Sequence, residues 1–314
     1  MDKLLGKLID SFSVSGSEEE AKKVIKEELE AAQSDVIEDK MGNLIASAGE
    51  GDKKVMICAH MDSIGFIVSY IEDNGLIRVE KIGRFENEYA INSFVRFKNG
   101  TIGRLCNSGK QLFIDIGLDN KVKSSDKVKV GDTACLVGPY IKVGKRNVIS
   151  PMLDNKVGCY ILIKLIRDSI DIKDKKVYFV FSTEEELCGR GARAAAYNIN
   201  PDYCIVLGVE KAKDMEGSKG NVELGKGPVL KIMDKSLIMH RDIKKMLEES
   251  AQKAGISIQY SISSGTSEGG LLHKERAGIK TGELDIPCRY KHSCSEMVCI
   301  DDVESTIKLL KQII

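Results

Sequence analysis

Five consecutive apolar, β-prone residues, Val177 to Phe181, run through Ser182-Thr183 into three adjacent glutamates, Glu184, Glu185 and Glu186. An apolar run without polar alternation marks a strand covered on both faces, as in a parallel sheet flanked by helices. Gly189, Gly191 and the alanine-rich segment Ala192 to Ala196 follow and read as a helix start. Acids just after such a strand stand where open α/β sheets hold their ligands, beyond the carboxyl ends of the strands. The competing reading is a solvated first helical turn whose acids complement the helix dipole. The rest of the chain decides between the two.

The same pattern recurs. Val55 to Ala59 is a second continuous apolar strand and ends on His60-Met61-Asp62; Tyr203 to Val209 is a third and ends at Glu210. Met152-Leu153-Asp154-Asn155 leads into Val157 to Ile166, an apolar helix expected to pack on the sheet. Arg241 to Ala254 reads as a helix stopped by Gly255. Thr281 to Pro287 leads to Cys288-Arg289-Tyr290-Lys291-His292, and a closing helix is expected from about Asp301 to the end. Near the N-terminus, residues 3 to 12 read as a short helix. Ser17 with Glu20 reads as a capping box ahead of the helical spacing in Ala21 to Ala32. Val36-Ile37 and Leu44-Ile45 read as short β pieces joined by a turn at Met41-Gly42-Asn43.

Between Ile64 and about Val148 the character changes. Short apolar runs are broken by Asp73-Asn74-Gly75, Asn99-Gly100 and Leu118-Asp119-Asn120, and no stretch holds a helical period. These are hairpin and turn signals, and they predict a compact all-β module. The α/β pattern resumes afterwards. The expected organisation is therefore an α/β domain over 1–63 and 149–314, interrupted by a β-rich domain at 64–148.

Charge and cysteines bound the function class. Lys plus Arg and Asp plus Glu are both 47 in 314 residues, a formal net charge of zero, which removes the simplest argument for nucleic acid or a polyanionic surface as partner. No apolar run approaches a membrane span and the first residues do not read as a signal peptide. The nine cysteines form no CxxC or finger spacing, and Cys58, Cys135, Cys159 and Cys204 lie inside apolar runs. They read as buried, reduced thiols of a cytoplasmic protein.

The predicted strand ends gather a set of metal-ligand types. His60 and Asp62 are in HxD spacing, so on an extended chain they share a face, and Asp62 can accept a hydrogen bond that fixes the imidazole. Asp154, Glu185, Glu186, Glu210 and His292 also follow β-prone or loop segments. Two histidines with several carboxylates and no thiolate requirement is the ligand set of a zinc, cobalt or manganese hydrolase. A two-metal site needs a bridging carboxylate, end ligands and a spare carboxylate as proton shuttle. The pair Glu185-Glu186 suits the last two tasks. A glycosidase is set aside: such enzymes pair two carboxylates across a sugar and have little use for histidines at strand ends.

The motifs DKMGNLI, CAHMDSIGFIV, MLDNKVGCYIL, EEELCGRGA, LGKGPV and IPCRYKHSCSE occur in this order along nearly the whole chain. Together they resemble the tetrahedral (glutamyl-type) aminopeptidases, a metallopeptidase family also labelled "cellulase M". The resemblance implies a mixed-sheet α/β catalytic domain sandwiched by helices, with an inserted small all-β domain used in assembly. It implies one or two divalent metals per subunit, short peptide substrates, a homo-oligomer such as a dodecamer, and no nucleic-acid or membrane partner. By motif, His60 resembles the ligand of one metal, Asp62 its orienting partner and Asp154 the bridging carboxylate. Glu185 resembles the general base that acts on a metal-bound water, Glu186 a ligand, and His292 the second metal's histidine.

Two positions depart from the family's pattern. An aspartate ligand is expected where this chain has Gly208, and the aspartate of a GGTDAG loop is replaced by Ser267. Glycine offers no side-chain donor. Glu210, two residues on and on the same face of an extended strand, is a candidate to compensate, and Glu268 could stand in for the acid lost at 267. Both also fit ordinary surface acids. The alternative function is accordingly a degenerate, weakly metal-binding or non-catalytic relative that binds peptides. His240, His273, Cys188 and Cys294 are not expected to be ligands.

Overall fold

The computed structural model describes residues 3–168, 172, 174–218 and 220–314. Helices α1 (Lys3–Asp10) and α2 (Glu19–Glu30) open the chain. The expected capping box does not form. Glu18 precedes α2 without a side-chain cap, Ser17 Oγ accepts from Thr133, and Glu20 Oε2 accepts the Phe12 amide at 2.8 Å. Glu20 is drawn off to satisfy a buried amide of the loop after α1, which a local pattern cannot foresee. The hairpin β1 (Val36–Glu38) and β2 (Leu44–Ala48) leads to β3 (Lys53–His60).

A closed barrel follows: β4 (Gly65–Ile71), β5 (Ile77–Ile82), β6 (Phe94–Phe97), β7 (Ile102–Ser108), β8 (Gln111–Asp115), the short helix α3 (Lys121–Ser125) and β9 (Thr133–Val137). Strand order around it is β4-β5-β8-β7-β6-β9. Alternate residues point inward, and Phe66, Val95, Phe97, Leu105 and Ile114 fill it as a separate core. Helix α3 lies where no helical period was read. It is a five-residue turn capped by Asn120, which accepts from the Lys123 amide at 3.0 Å. The barrel strands end at Val137. Strands β10 (Ile141–Val143) and β11 (Asn147–Ser150) pair instead within the large sheet, so 141–148 belongs with it and not with the barrel. Short strands carry no local sign of which sheet they will join.

The remaining elements are α4 (Leu153–Arg167), β12 (Lys175–Ser182), α5 (Arg190–Ile199), β13 (Tyr203–Lys211), β14 (Val229–Met233), α6 (Arg241–Ala254), β15 (Gln259–Ile262), α7 (Gly269–Leu272), β16 (Lys280–Arg289), β17 (Glu296–Cys299) and α8 (Ile300–Leu310). The α6 bounds and the left-handed Gly255 after it follow the sequence expectation. Helix α8 ends at Leu310 in a further turn. The 11-stranded mixed sheet runs β1-β2-β12-β3-β13-β16-β17-β11-β10, with β14 and β15 branching from β16.

Both faces of the central strands are covered, which is what their unbroken apolar sequences require. Val55, Ile57, Ala59, Phe179, Phe181, Ile205 and Leu207 face one core, shared with α1, α2, α4, α6 and α8. Met56, Cys58, Val180, Cys204 and Val206 face the other, under Ala192, Ala195 and Ala196 of α5. All nine cysteines are free thiols, and Cys58, Cys135, Cys159 and Cys204 are buried as expected. No described helix is long and apolar enough to cross a membrane.

Candidate active site

Strands β12, β3, β13 and β16 are mutually parallel in that order, so their carboxyl ends share one edge of the sheet. A cavity of about 460 Å³ opens there, lined among others by His60, Asp154, Glu185, Glu186, Asp285 and His292. The glutamates are not a helical first turn. They lie in the loop between Ser182 and Arg190, with α5 starting beyond them.

Asp154 is the hub. Its Oδ1 is 3.4 Å from His60 Nε2 and its Oδ2 is 3.2 Å from His292 Nε2. Glu186 Oε1 is 3.9 Å from His292 Nε2. Ligand atoms of His60, Asp154 and Glu186 all lie within 4.8 Å of one another. Asp154 and Asn155 sit at the head of α4 with non-helical dihedrals, which turns the Asp154 carboxylate toward the strand ends. Three bonds fix that conformation. Asn155 Nδ2 donates to the Leu207 carbonyl at 2.7 Å, and its Oδ1 accepts the Gly158 amide at 3.1 Å. The Asp154 amide donates to Glu296 Oε2 at 2.9 Å. Glu296 Oε1 accepts the His292 amide at 2.6 Å, so this one buried acid ties the bridging aspartate to the distal histidine. Burial, then the neighbouring Asp154 charge, push Glu296 up to about 8. Sequence reasoning missed Glu296, although it stands four residues after His292 inside a quoted motif.

Asp62 differs in detail from the expectation. His60 Nδ1 meets the backbone carbonyl of Asp62 at 3.1 Å, and the carboxylate Oδ1 lies farther, at 3.6 Å. The carboxylate is instead engaged by the glutamate loop. Oδ1 accepts the Glu185 amide at 3.0 Å, Oδ2 accepts the Glu186 amide at 3.1 Å, and Ser15 Oγ donates to Oδ2. Asn43, fully buried, holds the same loop at both ends: its Oδ1 accepts the Thr183 amide at 3.0 Å and its Nδ2 donates to the Gly191 carbonyl at 2.9 Å. Gly191 leaves room for this, since a Cβ there would lie 2.3 Å from Asn43 Oδ1.

Several buried carboxylates crowd the cavity. Burial, then the charges of Glu185 and Asp154, push Glu186 well above the usual carboxylate range. Burial also raises Glu185, against the pull of His60. Burial opposes ionisation of Asp154 too, but Lys291, His292 and His60 together hold it well below its usual value. Buried carboxylates crowded around two inward-facing imidazole nitrogens are oxygen and nitrogen donors suited to a divalent metal. The residues present fit such an ion.

Glu210 is not brought to this cluster. Two residues beyond Gly208 carry it about 6.6 Å farther along the strand, where its carboxylate meets Lys231 Nζ at 3.4 Å. Glu268 is not a surface acid either. It is 1% exposed, accepts from Ser182 Oγ at 2.6 Å, and is pushed up to about 7 by burial. His240 caps α6, accepting the Asp242 amide at 3.2 Å, and His273 Nδ1 meets the Gly269 carbonyl at 3.0 Å, so both have structural roles.

Known proteins are similar to this chain in sequence and fold. The lysyl aminopeptidase of Pyrococcus furiosus is 31% identical over 337 residues, covering 99% of this chain and 96% of the relative. The crystal structure of a TET aminopeptidase from a marine-sediment Thaumarchaeota archaeon superposes with a TM-score of 0.94 at 28% identity, covering 99% of this chain and 95% of that one. The TET1 peptidase of Pyrococcus horikoshii, described as able to assemble into a tetrahedron or a large octahedral shell, gives a TM-score of 0.88 at 28% identity, with 99% and 98% covered. Residues 42–309 match the M42 glutamyl aminopeptidase family, and the chain belongs to that family of peptide-bond hydrolases.

Proposed function

We propose that the chain is a divalent-metal-dependent aminopeptidase that removes the N-terminal residue of short peptides, with Glu185 as general base. The observation that carries this reading is that the two oxygens of Asp154 face two different imidazoles, His60 at 3.4 Å and His292 at 3.2 Å. A carboxylate so placed suits the bridge of a two-cation site, with Glu186 beside His292 and His60 on the other side. When bound, the metals supply Lewis acidity, which acidifies water and polarises the scissile carbonyl.

The protein's own groups supply the rest. Glu185 lines the same cavity with no salt bridge of its own among the described residues, free to accept a proton and return it to the leaving amine. Asp62 fixes the backbone of Glu185 and Glu186 through their amides, and Asn43 clamps the loop that bears them. Burial of His60, Asp62 and Asp154 away from water keeps these charges strongly coupled.

The intact glutamate pair and both histidines support activity over the non-catalytic, peptide-binding alternative. By likeness to the TET assemblies, we also place the chain in a homo-oligomer, with the barrel as the element available for contacts. Nine free thiols support a reducing, cytoplasmic setting. The test is hydrolysis of aminoacyl anilides and short peptides by protein stripped with a chelator, then resupplied with zinc, cobalt or manganese. Activity that vanishes on stripping, returns with metal, and is lost by at least about a hundredfold in Glu185→Gln with metal content unchanged is the expected outcome. Activity indifferent to the chelator would overturn metal dependence. Light scattering reads the oligomer.

A further inference from the structure

The glycine at 208 has a specific neighbour. In the parallel pairing of β13 with β16, Gly208 is the register partner of Asp285. Paired residues of adjacent strands project to the same face. A Cβ added at Gly208 would lie 2.6 Å from Asp285 Oδ1 and 3.5 Å from its Cγ. The first is closer than nonbonded atoms come, so side chains at 208 and 285 compete for a single space. Gly208 is not among the glycines with positive φ. Its backbone therefore does not call for glycine, and the missing side chain is what its neighbour uses. A bare strand position often marks such a close approach.

Asp285 is a buried carboxylate with an oxygen left unpaired. It is 1% exposed. Lys231 Nζ stands 2.7 Å from Oδ2, while Oδ1, the oxygen over Gly208, has no hydrogen-bond partner. An uncompensated buried carboxylate oxygen is costly. The direction is right as well. Val206 pairs with Cys58 in the last register pair of β13 with β3, and each strand then runs two residues on, to Gly208 and to His60. His60, Gly208 and Asp285 thus stand toward the same ends of three neighbouring parallel strands. His60 and Asp285 lie on the two strands that flank the bare glycine of β13. Both line the cavity that holds Asp154. A second acid on the same strand face follows the same pattern: Glu283 accepts from the hydroxyl of Ser267, the other position at which an expected aspartate is missing.

We propose that Asp285 is a ligand of the cation held by His60 and Asp154, so that the carboxylate expected from β13 is delivered by β16. The proposal rests on the metallopeptidase reading and extends it to a residue that the family's pattern does not mark. Glu210, held by Lys231, has no part in it.

Cobalt titration of the metal-stripped protein, followed by visible absorption and by metal analysis after gel filtration, tests it. Wild type is expected to hold two cobalt ions per subunit. Asp285→Ala should keep one and lose affinity for the other by at least about tenfold, the scale of one charge-assisted contact. Gly208→Asp combined with Asp285→Ala should restore the second ion, because the space is vacated as the donor moves back to β13. Asp285→Asn keeps the shape if the alanine variant does not fold. Two ions bound at wild-type affinity in both Asp285 variants, or a double variant no better than Asp285→Ala, would overturn the proposal and leave the metallopeptidase reading standing. Wild type that takes up no cobalt would remove both.

Discussion

Lys291 holds its ammonium 2.9 Å from Asp154 Oδ2, the oxygen that also faces His292 Nε2. Its position is fixed by a second bond, 2.8 Å to the Val209 carbonyl. Burial opposes the charge, but Asp154 holds Lys291 above the usual lysine range. A cation entering beside His292 competes with this ammonium for the same oxygen. Lys291→Met, which keeps the length and removes the charge, is expected to bind zinc more tightly. The gain should be about tenfold, the scale of one hydrogen bond to a charged group. Competition with a chelator of known affinity measures it, and unchanged or weaker binding would show that the ammonium and the metal do not share Asp154.

The Asp62 carboxylate accepts two successive amides, one per oxygen, and both belong to the loop that bears Glu185 and Glu186. Asp62→Asn must present a donor to one of those donors. The expected result is a fall in kcat of about ten- to a hundredfold, corresponding to roughly 1.5–3 kcal/mol for a lost bond to a charged group. Metal stoichiometry should persist, since the Asp62 group bonded to His60 Nδ1 is its main-chain carbonyl. Loss of metal without loss of kcat in the fully loaded enzyme would reverse that assignment.

Strand identity and the gathering of His60, Asp154, Glu185, Glu186 and His292 were legible because continuous apolar runs define buried parallel strands, and strand ends define one edge. What was hidden depended on neighbours across the sheet. Gly208 read as a lost ligand because its register partner, Asp285, lies 77 positions away on a strand whose pairing cannot be read locally. Glu210 was the local candidate on alternation alone. The capping box failed for the same reason, as Glu20 bonds outside its helix. Glu296 and Asn43 were passed over because their work is to satisfy backbone groups of distant segments, and ordinary polar residues in a loop do not advertise that.

Asn43 makes a sharper test of loop positioning than any residue inside the cavity. It is fully buried and reaches Thr183 and Gly191, the two ends of the segment bearing the glutamates. Asn43→Ala strands a buried amide and a buried carbonyl, each costing about 1–3 kcal/mol. We expect a stability loss of that order in urea unfolding, together with a lower kcat in the fraction that remains folded. Asn43→Asp keeps the acceptor for the Thr183 amide and should recover part of both. Activity indifferent to both changes would mean that the loop's position does not depend on Asn43.

Glu18 gives the pH dependence. It is 4% exposed, and burial, partly offset by the Gly16 amide, pushes its carboxyl from 4.5 up to about 7. A raised folded-state value means that the folded protein keeps its proton while the unfolded chain releases it. The stability this group contributes is therefore complete below about pH 4.5 and is lost as pH rises through about 7. The span corresponds to about 3 kcal/mol at 1.36 kcal/mol per pH unit. Both amides that Glu18 accepts, from Gly16 at 2.8 Å and Glu184 at 3.2 Å, bond the same oxygen, Oε1. Glu18→Gln can keep both bonds on its carbonyl oxygen while removing the charge. The variant should match wild type near pH 4.5 and exceed it by about 2–3 kcal/mol at pH 8, read as the difference between their urea midpoints across that range. A difference that stays flat from pH 4.5 to 8 would mean that Glu18 titrates alike in the folded and unfolded chains.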